Sequence, residues 1–284
     1  MIDGKTKILG LIGSDIEHSL SYCMHNYAAS KRSINAVYVP ISTPKDNLSA
    51  AISILRSPSF LGANITQPHK KEILPFLDRI DPIAERIGAV NTVIKDENGM
   101  LIGKNSDVFG FLSALKESRF PYTDKDVLIL GAGGAAYAVT DALSGMGTRS
   151  IYVYNRTTAK AIALIEHFQS YYPNQSYVLC TNPHELIIPL LIVNATPLGT
   201  PNTSLAQAFP PHPTLKPSDS LIDLVYHPTP LVQKASQKCL VSADGQSMLL
   251  HQAALSFSWW FQTSAPIREM RTALQTHLDF WNAS

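Results

Sequence analysis

A strand–glycine–helix unit in the middle of the chain constrains the fold most strongly. The apolar run 126–130 is followed at once by Gly131-Ala-Gly-Gly-Ala-Ala136, and a helix of small residues then runs to about Met146. Gly131, Gly133 and Ala136 fit the pattern G-x-G-x-x-A, whose glycines permit a tight turn and a close approach of the backbone to a pyrophosphate. A plain turn is the alternative. Because a strand precedes the pattern and a helix N-terminus follows it, we favour a dinucleotide site. The loop itself consists of Gly131, Ala132, Gly133, Gly134 and Ala135.

The end of the next predicted strand indicates which dinucleotide binds. NAD enzymes usually carry an Asp or Glu there for the ribose hydroxyls, whereas this strand ends in Asn155-Arg-Thr157. Arg156 can hold a 2′-phosphate with its planar guanidinium, aided by Thr157 and by Lys160 a turn later. The alternative is a capped helix start with Arg156 in solvent, and Thr157 is the predicted N-cap in either case. The missing acid favours NADP.

Short strands alternate with helices, which predicts an α/β fold with mainly parallel strands. Residues 1 to about 108 form a first domain, and residues from about 109 to 246 begin a second with the glycine unit. The two last helices can close either domain. We predict strands at 8–12, 36–40, 60–65, 126–130, 151–154, 190–193 and 221–224, helices at 20–31, 47–55, 158–168, 246–261 and 266–280, and a hairpin around Glu97-Asn-Gly99.

Polar residues cluster at the carboxyl end of the predicted strand 60–65, the end that faces the ligand crevice in α/β folds. They are Asn64, Thr66, His69 and Lys70. If partly buried, Lys70 can act as a proton carrier; a solvated lysine is the alternative, and its neighbour Lys71 is predicted to be solvated. His69 suits packing better than metal binding, because no second ligand lies at zinc spacing. We predict no metal site.

Two further groups have both a structural and a functional interpretation. Asp107 precedes an apolar helix and can cap it, or it can hold the ammonium of Lys70. Ser19 and Ser21 can cap the first long helix, or their hydroxyls can bind a carboxylate at its N-terminus. Sequence spacing alone does not decide between these roles.

Charge and composition exclude several function classes. The 284 residues carry a formal net charge of +1, without a run of Lys and Arg that would follow nucleic-acid phosphates. Apolar stretches are too short for a membrane span. The cysteines are scattered and odd in number, which favours a reducing compartment. We expect a cytoplasmic protein that acts on small molecules.

Taken together, these segments resemble the shikimate dehydrogenase family over nearly the whole chain. The motifs that carry the resemblance are Gly10–Gly13, His18–Ser21, Met24–Asn26, Gly62–Lys70, Gly88–Thr92, Gly103–Asp107, Gly131–Ala136, Asn155–Thr157, Asn194–Pro197, Asp223–Tyr226 and Asp244-Gly245 up to Gln252. The chain departs from the family in having Tyr22 for a usual Pro, Ser106 for a usual Thr and Thr200 for a frequent Met. These departures bear on the details of cofactor binding more than on the substrate-binding residues.

The resemblance implies NADPH-dependent, reversible reduction of 3-dehydroshikimate to shikimate on the route to chorismate and aromatic amino acids. It implies an N-terminal substrate domain, completed by C-terminal helices at about 247–284, and a Rossmann NADP domain. Lys70 is the implied acid/base residue, paired with Asp107. The resemblance also implies binding roles. The substrate carboxylate is bound by Ser19 and Ser21, aided by Tyr226, and the ring hydroxyls are bound by Asn64, Thr66, Asn91, Asp107 and Gln252. Residues 131–135 bind the pyrophosphate, residues 155–160 bind the 2′-phosphate, and Leu224 and Gly245 lie by the nicotinamide.

Three alternatives remain open at this point. One is a quinate/shikimate dehydrogenase that uses NAD, against which Arg156 argues. Another is a non-catalytic protein that senses NADP or a metabolite, against which the presence of both Lys70 and Asp107 argues. A folate-pathway dehydrogenase of similar architecture is more remote. Both a monomer and a homodimer are compatible with the sequence.

Overall fold

The structure of the chain is a computed structural model that describes residues 2–188, 190–200, 205, 211–238 and 241–283. It divides into two compact units, Met1–Gly110 with Leu250–Ser284, and Phe111–Leu249. Among the described residues, no helix combines the length and the apolar character needed to cross a membrane.

The first unit is built on a six-stranded mixed sheet in the order β2-β1-β3-β5-β6-β4. Its strands are β1 (Lys7–Gly13), β2 (Ala36–Ser42), β3 (Phe60–Ile65), β4 (Arg79–Ile80), β5 (Thr92–Lys95) and β6 (Leu101–Lys104). β1 pairs in parallel with β2 and β3, whereas β5 runs antiparallel to both β3 and β6. The predicted hairpin is therefore confirmed as β5 and β6, with Gly99 at a positive φ of 79° in the connecting turn.

Helices follow the strands of this unit. They are α1 (Ser21–Lys31), α2 (Leu48–Leu55), α3 (Pro82–Ile87), the start of α4 (Asp107–Ser118), most of α8 (Gln246–Phe261), and α9 (Ile267–Ala283). Alternate residues of β1 face opposite sides of the sheet, as a buried strand requires. Ile12 packs in a cluster with Leu48 and Ile52 of α2, and Leu9 and Leu11 pack in another with Trp260 of α8.

The second unit contains a six-stranded, entirely parallel sheet in the order β12-β11-β10-β7-β8-β9. Its strands are β7 (Asp126–Leu130), β8 (Ser150–Tyr154), β9 (Ser176–Leu179), β10 (Leu190–Asn194), β11 (Ser220–Asp223) and β12 (Val241–Ala243), and its own helices are α5 (Gly134–Ser144), α6 (Thr158–Tyr171) and α7 (Pro230–Ser236). Counted from β7, this is the doubly wound order 3-2-1-4-5-6. The order reverses between β7 and β10, and ligands bind at such a switch point.

The predicted elements agree with the structure to within a few residues at their ends, but several short ones were missed. These are β4, α3, β9, α7 and β12. α3 had clear signals, because Asp81 caps it, Pro82 begins it and Gly88 ends it in the left-handed conformation. Six helical residues are too few for a visible apolar period, so the element was overlooked.

Candidate active site

Lys70 and Asp107 meet at the carboxyl end of the first sheet. Lys70 lies in the loop after β3. Its carbonyl oxygen accepts a hydrogen bond from Val90 N, which ties this loop to the segment before β5. Asp107 is the first residue of α4, shortly after the end of β6 at Lys104. The Lys70 ammonium donates to Asp107 Oδ2 at 2.6 Å, and the two side chains are only 17% and 9% exposed. The alternative of a solvated Lys70 is therefore wrong, and Asp107 uses its carboxylate for the lysine rather than for a helix cap.

The second oxygen of Asp107 fixes the orientation of the Asn91 side chain. Asn91 Nδ2 donates to Asp107 Oδ1 at 2.7 Å and to Ser106 Oγ at 2.9 Å. A carboxylate only accepts hydrogen bonds, so the nitrogen of the amide must face it. Asn91 Oδ1 then accepts from Ser106 N at 2.8 Å and from Thr92 Oγ1 at 2.9 Å. The buried amide thus has partners on both sides.

Asn64 extends this network from the end of β3. Its Nδ2 donates to the carbonyl oxygen of Asn91 at 3.2 Å and to Thr92 Oγ1 at 3.0 Å. The opposite end, Oδ1, accepts from the Tyr38 hydroxyl at 2.9 Å. The network therefore reaches from the ammonium of Lys70 across the sheet to β2.

α8 closes the network from the other side. Ser256 Oγ lies 2.9 Å from Thr92 Oγ1, 3.1 Å from Asn64 Nδ2 and 3.3 Å from Ser106 Oγ. Gln252, one turn earlier, reaches Ser106 Oγ through its Oε1 at 3.4 Å. Sequence reasoning missed Thr92, Ser256 and Tyr38 as parts of this cluster. The position of Ser256 one helical turn after Gln252 was the available signal.

Ser19 and Ser21 lie at the start of α1, where the predicted cap is not formed. The N-cap residue is Leu20, without a side-chain cap, and the helix begins at Ser21. Ser19 Oγ instead accepts from Ser21 N at 3.2 Å. Ser21 is buried. Both serines lie at a helix N-terminus, a position that suits an anion.

Two residues of the predicted cluster lie at its margin. Thr66 follows β3, where its N–H donates to the carbonyl of Ile12 and its carbonyl accepts from His69 N. Its side chain has no described hydrogen bond to the network. His69 is fully buried and its Nε2 lies 2.8 Å from the carbonyl oxygen of Thr43, so it packs, as predicted. In the described residues, no group of three His, Cys, Asp or Glu side chains is arranged to hold a metal.

In the second unit, the glycine loop forms the turn between β7 and α5. Gly131 has a φ of 111°, and a Cβ atom there would lie 2.9 Å from the carbonyl oxygen of Ala195, which follows β10. Gly133 is the N-cap of α5, and the helix begins at Gly134 without a side-chain cap. Ala132, Gly134 and Ala135 are partly exposed. The first N–H groups of α5, which have no partner within the helix, therefore lie at the turn after β7, beside the switch point of the sheet.

The end of β8 carries exposed basic and hydroxyl groups. Arg156, Thr157 and Lys160 are exposed, and Asn155 Nδ2 donates to the carbonyl oxygen of Thr157 at 2.9 Å. Thr157 is the N-cap residue of α6, as predicted, although its side chain makes no cap hydrogen bond. Both Thr157 and Arg156 are free to offer polar atoms to a ligand, because their side chains are exposed. These residues fit NADP.

The loop after β11 brings Leu224 and Gly245 together. Gly245 N donates to the carbonyl oxygen of Val225 at 3.0 Å, and a Cβ atom on Gly245 would lie 2.2 Å from the Leu224 carbonyl oxygen. Tyr226 follows, with its ring centroid 4.7 Å from that of His227. The close backbone approach at Gly245 excludes any residue with a Cβ atom. The hydrogen bond from Gly245 N to Val225 holds this loop close to the start of α8.

Asp223 holds the same loop from beneath. It is fully buried and accepts from Asn194 Nδ2 at 2.9 Å, Val225 N at 3.0 Å and Thr229 Oγ1 at 2.8 Å. Burial raises the pKa of Asp223 to about 6, although these hydrogen bonds act in the opposite direction. In the sequence, Asp223 stands out only as the first residue of the motif Asp223–Tyr226.

Comparison with known proteins shows the family. Family models match at residues 11–93 (Shikimate dehydrogenase substrate binding domain), 114–188 (Shikimate / quinate 5-dehydrogenase) and 245–275 (Shikimate 5'-dehydrogenase C-terminal domain). The Shikimate dehydrogenase (NADP(+)) of Desulforamulus reducens is 38% identical over 281 residues, covering 96% of each chain.

Two solved structures are also similar. One is a shikimate dehydrogenase in complex with NADP+, with a TM-score of 0.88 and 34% identity over 98% of each chain. The other is shikimate 5-dehydrogenase from Thermus thermophilus in complex with NADP(H) and shikimate, with a TM-score of 0.80 and 35% identity over 95% of this chain and 99% of that one. The chain belongs to the shikimate dehydrogenase family.

Proposed function

We propose that this chain catalyses the NADPH-dependent, reversible reduction of 3-dehydroshikimate to shikimate, a step of aromatic amino acid biosynthesis. The single observation that carries this proposal is the partly buried pair of Lys70 and Asp107, 2.6 Å apart. The family supplies the reaction class, and the pair supplies an acid where a ketone becomes an alcohol. A sensor that only binds NADP or a metabolite has no need of such a pair.

Lys70 is the proposed proton donor. NADPH, which the glycine loop and the groups after β8 would hold, would supply the hydride for the ring ketone. As negative charge develops on the ketone oxygen, the Lys70 ammonium donates a hydrogen bond and then a proton to it. In the reverse direction, neutral Lys70 accepts the proton of the shikimate hydroxyl. Asp107 holds the ammonium in place, and Asn91 holds Asp107.

The proposed substrate residues extend from this pair to the start of α1. Asn64, Thr66, Asn91, Asp107 and Gln252 bind the ring hydroxyls, and Ser19 and Ser21, aided by Tyr226, bind the carboxylate. Support comes from the network that already links Asn64, Asn91 and Gln252 through Ser106 and Ser256. Polar groups held in this way need little reorganisation when a substrate arrives, which favours binding.

NADP is the cofactor that the second unit fits. Gly131 to Ala135 bind the pyrophosphate at the N-terminus of α5, and Asn155, Arg156, Thr157 and Lys160 bind the 2′-phosphate. Leu224 and Gly245 lie at the nicotinamide. The supporting observation is that Arg156 and Lys160 are exposed after β8 and no carboxylate stands among them. The first unit is therefore the substrate domain and the second the NADP domain.

A cofactor and substrate comparison tests the proposed function. Purified protein is mixed with shikimate and either NADP or NAD, and the absorbance of the reduced nicotinamide is followed; quinate then replaces shikimate. We expect kcat/KM to be at least roughly tenfold higher with NADP than with NAD, because the charge-assisted contacts to the 2′-phosphate are lost with NAD. Preference for quinate with NAD would favour a quinate/shikimate dehydrogenase that uses NAD. Absence of turnover with every combination of substrate and cofactor would contradict the proposed enzymatic activity.

The oligomeric state and the cellular compartment require two further measurements. We propose a cytoplasmic enzyme that acts on free small molecules, as a monomer or homodimer. Size-exclusion chromatography with light scattering separates these two states. Fractionation of producing cells checks the compartment.

A further inference from the structure

Tyr38 is a buried tyrosine on β2 whose backbone is held by a side chain. Asn26 of α1 donates from Nδ2 to the Tyr38 carbonyl oxygen at 2.9 Å, and its Oδ1 accepts from Tyr38 N at 2.7 Å. β2 is the edge strand of its sheet, so these backbone groups lack a neighbouring strand to pair with. The Asn26 amide takes that place. Both backbone polar groups of Tyr38 are thus held by the side chain of Asn26.

The ring of Tyr38 is fixed as well. The His25 ring stacks on it with centroids 4.5 Å apart and planes at 17°, and the Trp260 ring lies 6.1 Å away at 50°. Trp260 is itself held by a hydrogen bond from Nε1 to the Val93 carbonyl oxygen at 2.9 Å. A ring so enclosed has little freedom to turn. Its hydroxyl is therefore held at one point in space.

That hydroxyl contacts one group of the proposed substrate site, the Asn64 amide. Asn64 Nδ2 donates to the Asn91 carbonyl oxygen and to Thr92 Oγ1, so its Oδ1 must face Tyr38. The phenol accordingly donates to Asn64 Oδ1 at 2.9 Å. The phenol thereby fixes the amide of Asn64 at the end of β3.

We propose that Tyr38 is a positioning residue of the substrate site, whose hydroxyl fixes the Asn64 amide without touching the substrate. This rests on the proposed function, in which Asn64 binds a ring hydroxyl. An amide held in one orientation then selects a ring that carries a hydroxyl group at the matching place. Tyr38 acts on recognition of the substrate and leaves the proton transfer at Lys70 unchanged.

The test is Tyr38→Phe, which removes the hydroxyl and keeps the ring between His25 and Trp260. The matched control is Tyr177→Phe in the second unit, where the phenol also bonds a hydroxyl, Ser144 Oγ at 2.6 Å. In Tyr38→Phe we expect the KM for shikimate to rise roughly three- to tenfold, the effect of one hydrogen bond. kcat and the KM for NADP stay within about twofold, and the control changes none of the three.

A second readout does not depend on turnover. The side-chain NH2 signals of Asn64 in 15N-labelled protein report on its amide directly. In Tyr38→Phe we expect these signals to shift and their hydrogens to exchange faster with water, whereas Tyr177→Phe leaves them unchanged. Unchanged Asn64 signals together with an unchanged KM for shikimate would overturn the proposal. So would a fall in kcat without a change in KM.

The two readouts separate this proposal from the proposed function. If the unmodified protein oxidises no shikimate, the proposed function fails and the positioning role for shikimate fails with it. The Asn64 signals then still decide whether the phenol holds the amide. If the unmodified protein is active and Tyr38→Phe behaves like the control, only the inference on Tyr38 falls.

Discussion

The carboxylate of Asp107 holds the ammonium of Lys70 at 2.6 Å across 37 positions of sequence. One partner lies in the loop that follows β3 and the other begins α4, so the pair forms only when the first sheet is assembled. Because Asn91 occupies the second oxygen of Asp107, the carboxylate cannot turn away from Lys70. The site is thus arranged before substrate binds.

Replacement of Lys70 tests the proton transfer. In Lys70→Ala we expect kcat for shikimate oxidation to fall by about 100-fold or more with little change in KM, because general acid–base catalysis contributes at this level. Lys71→Ala is the matched control, since Lys71 is the exposed neighbour in the same loop. Steady-state kinetics of both variants check the role. A near-normal kcat in Lys70→Ala would remove Lys70 from the mechanism.

Arg156 should determine the preference for NADP over NAD. Arg156→Ala removes an exposed guanidinium that lies where the 2′-phosphate is proposed to bind. We expect the KM for NADP to rise roughly tenfold or more, while the KM for NAD stays nearly unchanged because NAD lacks that phosphate. The ratio of kcat/KM for the two cofactors measures the effect. Equal changes with both cofactors would contradict a specific phosphate contact.

Gly131 should tolerate no side chain. Its φ of 111° is unfavourable for other residues, and a Cβ atom would lie 2.9 Å from the Ala195 carbonyl oxygen. We expect Gly131→Ala to lower the free energy of unfolding by about 1–3 kcal/mol and to weaken NADP binding. Gly145→Ala is the control, since nothing lies within 4 Å of a Cβ atom there and φ is −92°. Urea unfolding and NADP titration of both variants provide the comparison; matching behaviour would show that the turn is not strained.

His25 should make the folded state sensitive to acid. Both ring nitrogens are buried without a hydrogen-bond partner, and burial lowers the pKa of His25 from 6.5 to about 3. Below about pH 6.5 the unfolded chain takes up a proton that the folded chain refuses, so stability falls with pH by up to about 1.4 kcal/mol per unit until the folded pKa is reached.

The measurement is urea unfolding from pH 7 to pH 4 on His25→Leu and on His184→Leu. His25→Leu removes this linkage, so we expect its stability to fall less steeply with acid than that of the unmodified protein. His184 is exposed, and its replacement should leave the slope as it is. Parallel slopes in all three proteins would mean that His25 takes up its proton without unfolding.

Much of this architecture could be predicted from local patterns. The apolar runs of β1, β3 and β7 and the glycines after β7 are short-range signals, and they identified the sheets and the turn. Lys70, Asp107 and Asn91 could be named one by one. Their convergence could not, because it depends on the register of β3, β5 and β6 and on the point where α4 begins.

Residues that act through burial were hidden for a different reason. Tyr38 has the appearance of an ordinary strand residue, and Ser256 that of a polar interruption in an apolar helix. Only their contacts distinguish them, since the hydroxyl of each meets Asn64. Thr157 shows the converse case, because its predicted N-cap position is confirmed although its side chain makes no cap hydrogen bond.

The way in which Asn91 faces Asp107 also bears on the chemical ageing of the protein. Slow hydrolysis, which consumes water and releases ammonia, converts the asparagine side chain to a carboxylate of almost the same size and shape. At Asn91 the product would set a second anion where an N–H group now lies 2.7 Å from Asp107 Oδ1, and like charges at that distance repel. Molecules deamidated at this residue should therefore lose the arrangement that places Lys70, and peptide mass spectrometry of an aged preparation would find them in the fraction that no longer turns over shikimate.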